Sequence, residues 1–384
     1  MAHNNTIFSQ MLQLISRHDF QKCVDRHNGD HRTRTLRSWD QFIHLLYAQT
    51  SGRDSLRDIT NGTASVKEKL YHVGSKPVKR SSLSDANNKR PWQMYEDLFQ
   101  ATLVKVRKVA PKYKLDLPRP LYMLDSSLLG LCLALFPWAE YGQQKGAVKM
   151  HTLLQADGSL PTFLLITNGK VNDGKAAKKI PVPRGSFLAI DRGYHDFDLY
   201  NQYNNNDIRF VTRLKTNAAY DVITSRLVDE STGILADEII QFRNAATKNK
   251  YPHPLRKITY RDPETGKKLV FLTNEFKLQA VIIAAIYKAR WEIELFFKTM
   301  KQNLKIKSFL GTSENAVRIQ IYVALIAYLL ISYYRFTLKN QFSFQTLYRL
   351  FAINIFERKS LVDLVQYGGS KPPEPLALRQ LAFL

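Results

Sequence analysis

Acidic residues stand at positions where carboxylates could share a metal ion. Asp125 follows the short apolar run LYML, and Asp191 follows a second short apolar run, FLAI. Each run is typical of a buried strand, so each aspartate is expected at a strand end. Either residue alone is more often a turn residue or a helix cap. As a pair in one sheet they could share a divalent cation, which calls for a third carboxylate.

The third carboxylate has two candidates in the segment IYKARWEIELFFKTMKQ. If this segment is one helix with about 100° per residue, Tyr287, Arg290, Glu294 and Lys301 lie within roughly 60° of arc. Glu292 falls on the opposite side of the same helix. A carboxylate on a basic face opposes DNA binding unless a cation lies between it and the phosphate. Helical geometry therefore favours Glu294 as the metal ligand, with Mg²⁺ as the cation.

The same helix face carries positive charge toward the predicted metal site. Arg290 and Lys301 could position a phosphodiester around the metal, although a set of i/i+4 surface salt bridges explains the same spacing. Lys298 lies near this face and is a candidate phosphate contact. Trp291 also lies near it and could stack on an unpaired base, or simply pack in the core.

Composition indicates a polyanionic partner. The 384 residues include 56 Lys and Arg against 33 Asp and Glu, which gives a formal charge of +23 and a pI near 9.8. Two cysteines, far apart in sequence, exclude a disulfide framework or a cysteine zinc site within the chain and favour a reducing cytoplasm. The longest uncharged run, between Arg318 and Arg335, has 16 residues and predicts a buried helix rather than a membrane span.

The N-terminal third predicts a helical, basic domain over residues 1–115. Between residues 67 and 90 there are seven basic residues against two acidic ones. A compact helical unit with this charge could lay one helix in a DNA groove and hold phosphates with the rest. A solvated helical surface is an equally good interpretation. The candidate DNA contacts are Lys79, Arg80, Lys89 and Arg90.

Residues 116–214 predict a mixed sheet with flanking helices. The order is three strands, a helix, a strand, a helix and a strand, and an Asp-Gly pair marks a hairpin between the second and third strands. This order resembles the ribonuclease-H-like topology. On the second strand, Lys149 and His151 share a face and could both approach the scissile region as residues that support the site, although most strand histidines are packed or hydrogen-bonded.

The rest of the chain predicts three further segments. Residues 215–277 are expected to be a strand-rich insertion, and 278–308 to return to the core with the Glu294 helix. Residues 309–384 predict helices and a proline-containing tail. The expected fold class is therefore α/β, with an interrupted ribonuclease-H-like catalytic core between a helical DNA-binding domain and a helical C-terminal region.

The spacing of four residues resembles a known signature. Tyr287, Arg290, Glu294 and Lys301 follow the pattern Y-x2-R-x3-E-x6-K of DDE transposases from bacterial insertion sequences. LYMLDSS, AVKMHTL and LAIDRGY resemble the core strands of these enzymes, and the N-terminal helices resemble their helical domain. The resemblance therefore covers most of the chain.

The resemblance implies a metal-binding triad of Asp125, Asp191 and Glu294 that holds two Mg²⁺ ions, with Mn²⁺ as a substitute. It implies that Tyr287 contacts DNA near the cleaved phosphate, although a packed aromatic explains this residue as well. The implied enzyme cuts the ends of its element and joins the 3′-hydroxyls to target DNA by cut-and-paste, without a nucleotide cofactor.

The resemblance also implies binding partners, and two alternative functions compete with it. The implied partners are double-stranded DNA and a second copy of the chain in a paired-end dimer, without a membrane, in a bacterial cytoplasm at the nucleoid. One alternative is a DNA-binding remnant without catalysis, which the intact carboxylates oppose because they repel phosphate. Another is a metal-dependent nuclease on the same fold, which the separate basic domain and the insertion make less favoured.

Overall fold

The computed structural model describes residues 5–139, 146–304, 306, 308–339 and 341–367. The chain forms two compact units. The first contains Met1–Val109, Gln302–Gly311 and Asn315–Leu384, and the second contains Ala110–Lys301 and Thr312–Glu314. The N-terminal helices and the helices after Glu314, predicted as separate regions, thus belong to one unit. The proline-containing tail lies outside the described residues.

The elements are given in chain order. The N-terminal part is helical, with α1 Ile7–Met11, α2 Arg17–Arg26, α3 Ser38–Ser51, α4 Leu56–Ala64, α5 Arg80–Lys89 and α6 Gln93–Arg107. The middle part contains β1 Leu121–Leu131, β2 Gly146–Gln155, β3 Leu160–Asn168, α7 Asp173–Ala177, β4 Phe187–Ile190, α8 Phe197–Asn205, β5 Arg209–Arg213, β6 Tyr220–Ser225, β7 Ile234–Phe242, α9 Ala245–Lys250, β8 Leu255–Arg261, β9 Lys268–Thr273, α10 Ala280–Lys288 and α11 Trp291–Gln302. The C-terminal part contains α12 Glu314–Thr337, α13 Phe344–Asn354 and α14 Leu361–Tyr367.

Helix α12 contains the apolar run that the sequence assigned to a buried helix. By length and composition alone it could cross a membrane, yet 89% of its most apolar window is buried inside the protein. A core helix passes the same test of length and composition, because such a helix is apolar on all sides. Burial thus accounts for the apolar composition of α12 within its own unit.

The second unit is built on one nine-stranded sheet, with strand order β3-β2-β1-β4-β5-β9-β8-β7-β6. Strands β1, β2 and β3 pair antiparallel, whereas β4 pairs parallel with both β1 and β5. Apolar side chains of β1, β4 and β5 pack with α8 in a continuous core. The fold is therefore mixed α/β, with the parallel strands near the middle of the sheet, where both faces are covered.

The predicted strand-rich segment contains β6, β7, β8 and β9, and it continues the same sheet. Strand β9 pairs antiparallel with β5, and the other three strands follow by antiparallel neighbours. Helix α10 then packs on β4, β5 and β9. The added strands thus form part of the surface that carries the last helices of this unit.

A buried ion pair ties the added strands to the start of α10. Arg256 on β8 is 2% exposed and donates from Nε to Asp237 Oδ1 at 2.8 Å and from Nη2 to Asp237 Oδ2 at 2.6 Å. Its Nη1 donates to the carbonyls of Glu275 and Leu278 at 3.3 and 2.6 Å. A bidentate pair with additional carbonyl acceptors leaves few donors unsatisfied.

We predict that Asp237→Ala lowers the free energy of unfolding by about 3 to 5 kcal/mol, because it leaves a buried guanidinium without its carboxylate. The matched control is Asp221→Ala, which breaks an exposed pair with Arg243 whose side chains are 60% and 64% exposed. That change should cost at most about 1 kcal/mol. Chemical denaturation of both variants checks the difference, and equal losses would contradict it.

Candidate active site

Parallel pairing of two strands places the two aspartates beside each other. The pairing of β1 with β4 ends at Leu124 and Ile190, and the next residues along the two strands are Asp125 and Asp191. Strand β1 itself continues to Leu131 in its pairing with β2. The prediction that Asp125 ends its strand was therefore wrong, because β2 pairs with β1 beyond the point where β4 stops.

Asp191 turns the chain out of the sheet. Its Oδ2 accepts a hydrogen bond from the amide of Gly193 at 3.1 Å, and Asp191 is the N-cap of the 3-10 turn Arg192–Tyr194. The turn-residue interpretation therefore holds for Asp191 as a local description. A carboxylate that accepts one amide still has lone pairs for other partners, so this role leaves a metal-ligand role open.

The third carboxylate comes from a broken helix. Helix α10 ends at Lys288 and α11 begins at Trp291, so the prediction of a single continuous helix over this segment was wrong. The break is a tight turn, in which the amide of Arg290 donates to the carbonyl of Tyr287 at 3.1 Å. Arg290 thus stands between the two helices, four residues before Glu294 on α11.

The guanidinium of Arg290 joins two of the predicted triad residues. Its Nη1 lies 3.2 Å from Asp125 Oδ2, and its Nη2 lies 2.5 Å from Glu294 Oε1. Glu292 points elsewhere, because its Oε2 accepts from the hydroxyl of Ser159 at 3.1 Å. The structure therefore brings Glu294, and not Glu292, to Arg290 and Asp125.

The pKa of Asp125 reflects the charged groups around it. The pKa of Asp125 is raised to about 6, mainly by burial, with smaller contributions from the charges of Asp191 and Glu294. The amide of Ser126 and the guanidinium of Arg290 act in the opposite direction. Asp191 and Glu294 therefore lie close enough for their charges to act on the carboxyl group of Asp125.

Tyr287 closes one side of the site. It is 8% exposed, and its ring centre lies 5.0 Å from that of Phe271 on β9. The guanidinium of Arg290 lies over the same ring, 5.7 Å from its centre. The aromatic ring is therefore packed, as the alternative for Tyr287 proposed, and it also limits where Arg290 can lie.

The carboxylates fit a divalent cation by their chemistry. Hard cations prefer carboxylate oxygens, and a buried carboxyl group whose pKa is raised gains most from a nearby cation. In the described part of the chain, no three His, Cys, Asp or Glu side chains are grouped closely enough to hold a metal ion as they stand. Arg290 instead neutralises Asp125 and Glu294, so its guanidinium would have to withdraw for a metal to contact both.

Comparison with known families agrees with this chemistry. The family described as "Transposase DDE domain" matches residues 116–330, which is more than half of the chain. The chain belongs to the DDE transposase family. A second family, described as "Domain of unknown function (DUF4372)", matches residues 3–76 of this transposase. DDE transposase domains depend on a divalent metal, and they act on DNA.

Relatives of this transposase come from bacteria. The "Putative transposase y4zB" of Sinorhizobium fredii is 33% identical over 253 residues, which cover 65% of this chain and 69% of the relative. The "Probable transposase for insertion sequence element IS5377" of Geobacillus stearothermophilus is 27% identical over 335 residues, 86% of this chain and 85% of the relative. A cryo-EM structure of a piggyBac transposase synaptic complex with hairpin DNA is 11% identical and covers 98% of this chain and 84% of that chain, with a TM-score of 0.46. A TM-score this low establishes no common fold.

The other predicted site residues of this transposase differ in their exposure and in their contacts. Lys298 is exposed, and Trp291 is 59% exposed, so the core-packing interpretation of Trp291 was wrong. Trp291 begins α11 just after the turn and therefore faces outward. Lys301 is partly buried near the end of α11. Lys149 and His151 contact Asp173, a residue absent from our predictions, at 3.2 and 3.6 Å.

The candidate DNA contacts of the N-terminal domain divide into two groups. Lys79, Arg80 and Lys89 are exposed. Arg90 is 7% exposed, and its Nη1 donates to Gln41 Oε1 at 3.0 Å. The prediction that Arg90 contacts DNA was wrong, because its guanidinium is enclosed among helices and bonded to buried acceptors.

Sequence reasoning also missed Arg213. Ala189 on β4 pairs with Val211 on β5, and two residues further along the chain come Asp191, just after β4, and Arg213, at the end of β5. Arg213 lies close enough to lower the pKa of Tyr287, which burial raises. The strand RFVTRL was visible in the sequence, but its position next to β4 was not, so nothing indicated that Arg213 is level with Asp191.

We predict that Asp125→Asn stabilises the metal-free protein at pH 8. The pKa of Asp125 in the folded protein, about 6, exceeds its ordinary value of 3.8, so the folded protein binds more protons than the unfolded chain between these values. Ionised Asp125 therefore opposes folding above pH 6 by up to about 3 kcal/mol, and this effect disappears toward pH 4. Denaturation in EDTA across this pH range measures the difference.

Asp207→Asn is the control of opposite sign. A hydrogen bond from Arg119 lowers the pKa of Asp207, so ionised Asp207 favours folding above its ordinary pKa. This variant should be less stable than the wild type at pH 8, and the loss should fade in acid. If Asp125→Asn behaved like Asp207→Asn, the crowding of carboxylates at Asp125 would be refuted.

For the N-terminal domain we predict that Arg90→Ala lowers the free energy of unfolding by about 3 to 5 kcal/mol. At a temperature where the variant is folded, the salt dependence of its binding to duplex DNA should stay unchanged. The neighbouring change Lys89→Ala should alter stability by less than about 0.5 kcal/mol and reduce the salt slope by about 1. A reduced salt slope with unchanged stability in Arg90→Ala would contradict this and place Arg90 on the DNA-binding surface.

Proposed function

We propose that this transposase binds the ends of its insertion sequence, cleaves phosphodiester bonds there and joins the 3′-hydroxyl ends to target DNA by cut-and-paste. Asp125, Asp191 and Glu294 would hold two Mg²⁺ ions, for which Mn²⁺ can substitute. The observation that carries the proposal is the contact of Arg290 with both Asp125 and Glu294, beside Asp191. When bound, the ions supply Lewis-acid activation of water and of the 3′-hydroxyl.

Arg290 has a second task in this proposal. Its Nε is buried and has no hydrogen-bond partner among the described residues, so the guanidinium keeps a donor for an incoming group. A phosphodiester oxygen is such an acceptor, and a guanidinium binds it through two parallel donors. As the phosphate approaches, Arg290 can exchange its carboxylate partners for phosphate oxygens while Tyr287 supports its outer face. Lys298, Lys301 and Trp291 on α11 then extend the contact with DNA.

The fold supports the proposal of a ribonuclease-H-like core. The five strands β3-β2-β1-β4-β5 form an antiparallel group joined to a parallel group, with Asp125 on β1 and Asp191 directly after β4. In open α/β sheets, functional groups gather at the carboxyl ends of parallel strands. We assign Lys79, Arg80 and Lys89 to DNA-end binding, and we propose a paired-end homodimer that acts on nucleoid DNA in the bacterial cytoplasm.

The decisive prediction concerns the three carboxylates. Asp125→Asn, Asp191→Asn and Glu294→Gln should each abolish Mg²⁺-dependent cleavage of a labelled DNA that carries the element's end and flanking sequence. Binding of that DNA should be unchanged or tighter, because each change removes a negative charge near phosphate. The matched control is Glu292→Gln, on the same helix but bonded to Ser159, which should cleave normally.

Each other outcome has a distinct meaning. Normal cleavage by Glu294→Gln together with loss in Glu292→Gln would overturn the assignment of the third ligand. Cleavage without joined products in the presence of target DNA would favour a nuclease. Binding without cleavage by the wild type would favour a DNA-binding remnant. Weaker binding with normal cleavage in any triad variant would refute the metal-triad assignment.

A further inference from the structure

We propose that Asp173 and Ser126 form a positioning pair that orients the carboxylate of Asp125 from the opposite face of the sheet. The inference rests on the proposed function, because it takes Asp125 as a metal ligand. Neither residue belongs to the triad, and neither touches Arg290 or Glu294 in the contacts described above. Their role would be to decide which oxygen of Asp125 faces the metal site.

The pair is linked to Asp125 through one backbone amide. Ser126 donates its amide to Asp125 Oδ1 at 2.8 Å, and its hydroxyl donates to Asp173 Oδ1 at 2.8 Å. Because Oδ1 of Asp125 is held by this amide, Oδ2 is the oxygen that approaches Arg290, at 3.2 Å. The hydrogen bond to Asp173 holds Ser126 at this point of β1, and the Ser126 amide in turn holds Oδ1 of Asp125.

Strand geometry separates the two faces. Successive residues of a strand point to opposite faces, so Ser126 and Asp125 face opposite sides of the sheet. On β2, His151 is the register partner of Ser126, and Lys149 lies two residues away on the same face. Asp173, the first residue of α7, meets all three of these side chains. The positioning pair is thus separate from the surface that faces Arg290.

Asp173 is itself held firmly. Lys149 Nζ lies 3.2 Å from Asp173 Oδ1 and also donates to the carbonyl of Val171 at 2.9 Å. The side chain of Lys149 is only 12% exposed, so water screens this pair weakly. His151 is fully buried, and burial lowers its pKa to about 4, which leaves Lys149 as the neighbouring cation. A well-fixed acceptor is what a positioning residue requires.

The experiment measures Mn²⁺ binding to the full-length, DNA-free protein by calorimetric titration, together with its thermal stability. Ser126→Ala and Asp173→Ala should each weaken Mn²⁺ binding roughly tenfold, the usual effect of removing a partner that orients a metal ligand. The double variant should be no weaker than either single variant, because both changes break one link. Ser126→Thr keeps the hydroxyl and should restore wild-type affinity.

Two further variants separate positioning from general stability. Asp173→Asn keeps an acceptor for the Ser126 hydroxyl, so it should bind Mn²⁺ more tightly than Asp173→Ala. Thr162→Val removes a hydroxyl elsewhere in the sheet, one that donates to the carbonyl of Leu153 at 3.0 Å, and should leave the affinity unchanged. Lower thermal stability with unchanged Mn²⁺ affinity in Ser126→Ala and Asp173→Ala would overturn the inference.

Asp125→Asn distinguishes this failure from failure of the proposed function. If Asp125→Asn abolishes Mn²⁺ binding while Ser126→Ala and Asp173→Ala do not weaken it, the triad holds and only the positioning role is refuted. If Asp125→Asn binds Mn²⁺ as the wild type does, Asp125 is not a ligand. The proposed metal site and the inference that rests on it are then both overturned.

Discussion

Repulsion among three carboxylates near the carboxyl end of β4 is the constraint on which the site depends. Asp125 is partly buried near Asp191 and Glu294, and without a cation the three negative charges would oppose one another. Arg290 supplies that cation from the turn between α10 and α11. The break between the two helices therefore matters to the site, because it places Arg290 in a turn from which its guanidinium contacts both Asp125 and Glu294.

The sheet provides the rigid frame for this arrangement. Parallel pairing of β1 with β4 fixes Asp125 and Asp191 side by side, and the neighbouring strand β5 brings Arg213 to the same level. Strand β9 carries Phe271, which packs on Tyr287 and so supports α10. The strands after β5 thus contribute to the site through packing, although none of them carries a triad residue.

The two faces of the sheet have different roles in this proposed enzyme. One face turns Asp125 toward Arg290 and Glu294, where cation and DNA would meet. The other face holds Ser126 against Asp173, with Lys149 as the compensating charge. Asp125 lies near two other carboxylates, and one of its oxygens is held by the Ser126 amide. Such a side chain can have a well-defined direction although its charge opposes folding, which is how functional sites differ from ordinary core positions.

The sequence by itself determined the chemical types and the local spacing. The basic composition, the two apolar runs ending at Asp125 and Asp191, and the spacing from Arg290 to Glu294 were all readable, because neighbours four residues apart meet wherever the chain is helical. Only the tertiary structure decided the break after Lys288, the enclosure of Arg90 and the meeting of Asp173 with Ser126. These depend on contacts between residues distant in sequence, which periodicity and composition do not encode.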